Sequence, residues 1–206
     1  MSTTKCKTCR RTGQKLFLKE EKCLSFKCPL TRKAYPPGKR AKRFKMLSEF
    51  GQQLKEKQKL KFMYGLRERQ FVKYVRESMK KGGSDTGLCI LQCLESRLDN
   101  VIYRLGIAKS RSGARQIVNH GHICVNGRKV SIPSFKTKLG DKISIRPESV
   151  SRKVFSDMDI WLKKYTAPGW LKLDKEKKEG EIIKHISKND TDTSVNLSAI
   201  IGYYSR

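Results

Sequence analysis

Between Ser48 and Met79 the apolar residues fall at helical intervals: Phe50, Leu54, Leu60, Leu66, Phe71, Tyr74 and Val75. This pattern predicts a pair of helices, with Ser48 as the N-cap and Gly82-Gly83 as the stop. A second helical stretch carries Leu94, Leu98, Val101, Ile102 and Leu105 and ends at Gly106. Ser110 then caps a further helix whose Ala114, Ile117 and Val118 face inward. Beyond it the period changes to two. Ile123 and Val125 alternate, Asn126-Gly127 predicts a type I′ hairpin turn, and the strand resumes through Lys129 and Val130. Gly140-Asp141 turns the chain once more before Ile143 and Ile145. Trp161 and Trp170 are expected to anchor a C-terminal extension on this unit. The expected class is α+β, with a mainly helical region followed by helices packed on a small antiparallel sheet.

Charge changes what the polar positions mean. The 206 residues carry 47 Lys and Arg against 19 Asp and Glu, a formal net charge of +28. A compact chain of that charge repels itself, which points to a polyanionic partner, and nucleic acid leads. A membrane surface is the weaker expectation, because no apolar run approaches the ~20 residues that span a bilayer. The opening MSTTKCKTCRR has no signal-peptide core, so a cytosolic location is expected, bacterial or in the stroma or matrix of an organelle.

The basic residues fall into three groups. In YPPGKRAKRFK, Pro36, Pro37 and Gly38 exclude helix, and Lys39, Arg40, Lys42, Arg43 and Lys45 suit an extended arm along phosphates. On the first helix pair, Lys55, Lys57, Lys59, Lys61, Arg67 and Arg69 suit a face that touches phosphate while the other face packs. In the later region Arg97 and Arg104, seven apart, share the polar face of one helix, while Arg111 and Arg115 face out from the next. The expectation is four aligned arginines beside a hairpin, a rigid basic surface suited to the shape and backbone of A-form RNA. Lys109, Ser110, His120, Asn126 and Arg128 complete the expected contact set. From Asp174 to Asp192 acidic residues nearly balance the lysines, which suits a protein neighbour.

Seven cysteines in a reduced chain need another reading. Cys6, Cys9, Cys23 and Cys28 form C-x2-C-x13-C-x4-C, two close pairs that could place four thiolates around one ion. Zinc is the expected metal, and a [4Fe-4S] cluster on the same four residues is the alternative. Cys89 and Cys93 read as core residues and Cys124 as a small hydrophobe in a strand.

The stretch ESRLDNVIYRLGIAKSRSGARQIVNHGHICVNGRKVSIPS resembles the S4 RNA-binding domain. KLFLKEEKC, PPGKRAKRFKMLSEFGQQLKEKQKLKFMYGLRERQF, WLKLDKEKKEG and IIGYYSR extend the likeness to the bacterial-type small-subunit ribosomal protein S4 family along nearly the whole chain. The resemblance implies a cysteine-bearing metal knuckle and basic arm over residues 1–43, and a helical domain over 44–91 completed by 195–206. The S4 (alpha-L) domain and its extension would occupy 92–194. It further implies binding to the 5′ domain of 16S-like ribosomal RNA as a primary assembly protein, and contact with ribosomal protein S5 and other small-subunit proteins. A position where mRNA enters, with Lys42, Arg43 and Lys45 in the matching stretch, and a part in translational accuracy are also implied.

S4 domains also serve RNA-modifying enzymes, so an RNA-modifying protein or another RNA-binding zinc protein is the competing expectation. The chain outside the S4-like stretch leaves no room for a separate catalytic domain, and it has no Walker loop or HExxH site. Asp99 is expected to cap or to pair with a neighbouring arginine rather than to catalyse. No enzymatic activity and no small-molecule substrate are expected.

Overall fold

The computed structural model describes residues 2–19, 21–38, 46–81, 85–187, 190 and 195–205. The chain divides into two compact units, residues 1–87 with 193–206 and residues 88–192. The sequence reading cuts at 91/92 and 194/195 instead. The first division falls inside a continuous helix, α6 (Thr86–Glu95), where no change of period marks a boundary.

In the first unit the chain opens with α1 (Ser2–Thr12), α2 (Glu21–Leu24) and α3 (Pro29–Arg32). The predicted helix pair follows as α4 (Glu49–Met63) and α5 (Glu68–Lys80). Ser48 caps α4 by accepting from the Gly51 N–H at 3.2 Å. Tyr64 and Gly65, the latter at φ +62°, turn the chain between the two helices. Leu60, Tyr64, Leu66, Phe71 and Val75 are buried. The C-terminal α10 (Leu197–Tyr204) packs on α4 and buries Ile200. Asn196 caps α10 through its side chain, which accepts from the Ala199 N–H, and its own backbone N–H donates to Glu56 Oε2 at 3.0 Å.

The second unit holds α7 (Leu98–Arg104), α8 (Arg111–Asn119) and α9 (Met158–Lys164) with one five-stranded antiparallel sheet. Its strands are β1 (Ile123–Val125), β2 (Arg128–Lys129), β3 (Lys142–Ile145), β4 (Leu171–Asp174) and β5 (Glu179–Ile182), in the order β2-β1-β3-β5-β4. The β1–β2 turn has Asn126 at φ +49° and Gly127 at φ +77°, the two left-handed residues a type I′ turn requires. Leu98, Val101, Ile102 and Leu105 of α7 and Ala114, Ile117 and Val118 of α8 pack on Ile123, Ile143, Ile145 and Ile182 of the sheet. Trp170 is 1% exposed in this core and Trp161 packs against its edge, which is the anchoring the sequence predicts. Cys124 is buried in β1, whereas Cys89 and Cys93 are only half-buried.

Gly106 does two things. Its φ of +76° lets the chain leave α7, and the Tyr165 ring lies where a Cβ would stand, 2.6 Å away.

Candidate nucleic-acid interface

Two buried carboxylates organise the arginines of the second unit. Asp99, on the first turn of α7, has a side chain only 4% exposed. Arg97 Nε donates to Asp99 Oδ1 at 3.0 Å and its Nη2 to Oδ2 at 2.8 Å. From α8, Arg115 donates through Nε and Nη2 to Asp99 Oδ2 at 3.0 and 2.7 Å. The second carboxylate, Glu95 at the end of α6, has no exposed side-chain surface. It accepts from Arg104 Nε and Nη2 at 3.0 and 2.7 Å and from Asn100 Nδ2 at 2.5 Å. Asn100 Oδ1 in turn accepts from Arg111 Nε at 2.8 Å, and the Arg111 guanidinium sits 4.5 Å from the Tyr103 ring centroid. Bidentate, charge-assisted pairs of this kind fix a guanidinium's plane as well as its position.

This geometry corrects the expected row of four outward arginines. Arg97 is not on the helix of Arg104. It is extended at φ −73°, ψ 137°, forms a bridge with Lys136, and is 5% exposed. Arg104 is turned onto Glu95, its side chain 17% exposed. Among the arginines paired with Asp99 and Glu95, Arg115 is the most exposed, at 32%. The spacing of polar and apolar positions cannot show this, because the buried acids that draw Arg104 and Arg115 inward lie nine and sixteen residues away in sequence.

Models of known families match residues 1–143, and individual relatives match nearly the whole chain. The ribosomal protein S4/S9 N-terminal domain matches residues 1–95 and the S4 domain matches residues 96–143. Small ribosomal subunit protein uS4 of Syntrophomonas wolfei is 46% identical over 202 residues, covering 98% of this chain and 96% of that protein. The uS4 protein of Halothermothrix orenii is 45% identical over 201 residues with the same coverage. This chain belongs to the uS4 family.

Other residues expected at the interface of this uS4 chain divide by what already holds them. Lys55, Arg67 and Arg69 of the first unit are exposed. Lys57 and Lys59 are not: they are 5% and 4% exposed, against the expectation of one open phosphate-touching face. Lys57 and Lys61 converge on Glu68, at 2.6 and 2.8 Å, and Lys59 pairs with Glu56. The physical reason is α10. Tyr204 donates to Glu68 at 3.0 Å and Lys57 lies 4.7 Å from the Tyr203 ring centroid, so the C-terminus draws this part of α4 into the core. These partners hold Glu68 well below the usual carboxylate range, at about 2, although burial acts the other way. Burial, then the hydrogen bond to Glu68, pushes Tyr204 up.

In the second unit Lys109, His120 and Arg128 are exposed. Ser110 caps α8 by accepting from the Gly113 N–H at 3.2 Å. Asn126 braces the hairpin, donating to Asp141 Oδ1 at 2.9 Å and accepting from the Lys142 N–H at 2.9 Å. His122, beside His120, is buried with Nδ1 3.0 Å from Ser149 Oγ, and burial followed by the nearby Arg152 charge lowers its pKa. Lys39, Arg40, Lys42, Arg43 and Lys45 lie outside the described residues.

Cys6, Cys9, Cys23 and Cys28 line one small cavity of about 10 Å³. Among the described residues no group of three or more His, Cys, Asp and Glu is arranged, as it stands, to hold a metal ion. Cys6 and Cys9 lie on one face of α1, not on the sharp turn the C-x2-C spacing suggests. Burial raises Cys9, with smaller contributions from the other three thiols. At Cys28 burial is outweighed by the Leu30 and Thr31 backbone N–H groups, which lower it.

Proposed function

We propose that this chain is a structural, non-catalytic constituent of the small ribosomal subunit that binds the 5′ domain of 16S-like ribosomal RNA as a primary assembly protein. The observation that carries the reading is α8, whose half-buried Arg111 and Arg115 are held in place by Asn100 and by the buried Asp99 of α7. A surface read by RNA shape needs cations in a set geometry, and this one has it without waiting for the ligand. Membership of the uS4 family supports the same conclusion. Within the subunit the proposed neighbours are protein S5, through the less basic 174–192 region, and mRNA where it enters, through the 39–45 arm, with a part in translational accuracy. The location is then the cytoplasm, or the stroma or matrix of an organelle. Among the described residues no helix is long and apolar enough to cross a membrane.

The proposed cofactor is one zinc ion on Cys6, Cys9, Cys23 and Cys28. The four thiols line one cavity, which supports a single shared site, and a [4Fe-4S] cluster on the same four residues is the alternative. The ion would supply closure of a segment whose helices α2 and α3 are four residues each.

Filter binding tests the RNA reading. Arg111→Ala with Arg115→Ala should lower affinity for the 5′-domain transcript more than for unrelated RNA, and reduce the slope of log K against log salt by about 1.4 to 1.8. Equal losses on both RNAs would mean that α7–α8 does not read shape.

A further inference from the structure

The second unit has a groove on α9 that the function above does not use. Lys109, Asp157, Ile160, Trp161, Lys164 and Tyr165 line it, and its volume is about 290 Å³, at the lower end of the ~300–1,000 Å³ of ligand sites. Trp161 and Tyr165 are stacked, ring centroids 5.9 Å apart and tilted by 28°. The stack is fixed from below. The Tyr165 ring lies on Gly106, its hydroxyl donates to the Arg104 carbonyl at 3.0 Å, and Met158 and Leu162 bury the inner face of α9. Ile160, 72% exposed, forms an apolar rim.

We propose that this groove receives one unpaired nucleotide of the bound RNA, its base against Trp161 and Tyr165 and its phosphates near Lys109 and Lys164. The inference rests on the RNA-binding reading above. Three observations select this occupant. The space suits a single flat ring and is too small for a partner helix, which is about 10–12 Å across with its side chains. The wall is a preset aromatic stack, and base–aromatic stacking is how unpaired bases are held by proteins. The lining has two lysines against one carboxylate, which favours an anionic ligand. That carboxylate, Asp157, can accept from an exocyclic amino group, so adenine, cytosine or guanine is preferred to uracil.

Tryptophan emission of the full-length protein, titrated with a small-subunit ribosomal RNA transcript, tests this directly. Binding should quench wild-type emission, and the quenched component should be missing in Trp161→Phe, where only the core Trp170 emits. In filter binding Trp161→Leu should weaken affinity about five- to a hundredfold, the range of one lost base stack. If wild type fails to bind the transcript, the RNA reading itself is lost. If wild type binds, yet its emission is unchanged and Trp161→Leu binds within twofold of it, the groove holds no nucleotide. Quenching by a small-subunit protein in place of RNA also overturns the proposal. Should Trp161→Leu lose its fold by circular dichroism, the conservative Trp161→Phe comparison still decides.

Discussion

Replacing Asp99 by alanine removes the hydrogen bonds it accepts from Arg97 and Arg115 and takes the carboxylate from both guanidinium groups. Arg115, 32% exposed at its side chain, can turn to water and lose little. Arg97 cannot, because its side chain is 6% exposed and its backbone is tied by the bridge to Lys136. Stranding one member of a buried pair costs about 3–5 kcal/mol, whereas the pair as a whole contributes far less relative to an apolar replacement. Asp99→Ala should therefore lower stability by about 3–5 kcal/mol, Arg97→Met by less than that, and Arg97→Met with Asp99→Leu should recover much of the loss. Urea unfolding followed by Trp161 and Trp170, both in the second unit, is the assay. With a slope of ~2 kcal/mol/M the Asp99→Ala midpoint should fall by roughly 2 M. Additive effects in the Arg97/Asp99 double-mutant cycle, or an Asp99→Ala midpoint within a few tenths molar of wild type, would refute the view that this carboxylate is what keeps Arg97 buried.

Three further outcomes follow from other sites. Glu68 is held at about 2 instead of 4.5 in the folded chain, so its stabilising contribution is complete above about pH 4.5 and is lost as pH falls towards 2. The shift alone would give about 3 kcal/mol, but the side chain is 44% exposed and screening reduces this to about 1 kcal/mol. Amide protection factors in α10, corrected for the intrinsic pH dependence of exchange, should fall over that acid range in wild type and already be lower at pH 7 in Glu68→Gln. Gly106→Ala puts a Cβ into the Tyr165 ring at φ +76° and should cost about 2–4 kcal/mol in urea unfolding, from backbone strain and overpacking together. Cys9→Ser should release the proposed zinc and loosen roughly the first 30 residues without unfolding the rest, measured by metal analysis and amide exchange; a wild type purified without metal and still protected there would remove the ion from the account.

Local rules in the sequence were enough for several helix caps and for the hairpin turn, but they ran α6 and α7 together and gave none of α1 to α3, α9, α10, β4 and β5. Ser48 and Ser110 cap the helices they precede, Gly106 releases α7, and Asn126-Gly127 makes the hairpin, because each depends on a residue's own conformational preference and its nearest neighbours. The long quoted matches likewise carried the family, since they depend on residue identity and not on contact. Where the charges point was decided largely by tertiary structure, although the pairing of Asp99 with a neighbouring arginine was already legible in the sequence. Lys57 and Lys61 turn inward because Glu68 and the C-terminal Tyr204 meet them there, and Tyr204 is 136 residues from Glu68 in sequence. Arg97 turns inward because the 133–137 segment ties its backbone and Asp99 neutralises it. A periodic pattern separates apolar from polar positions, but lysine and arginine have long apolar stems and can satisfy either face. Which face they take depends on carboxylates, some near in sequence, as Asp99 is to Arg97, and others distant, as Glu68 is to Lys57 and Asp99 to Arg115, and the fold brings the distant ones into place.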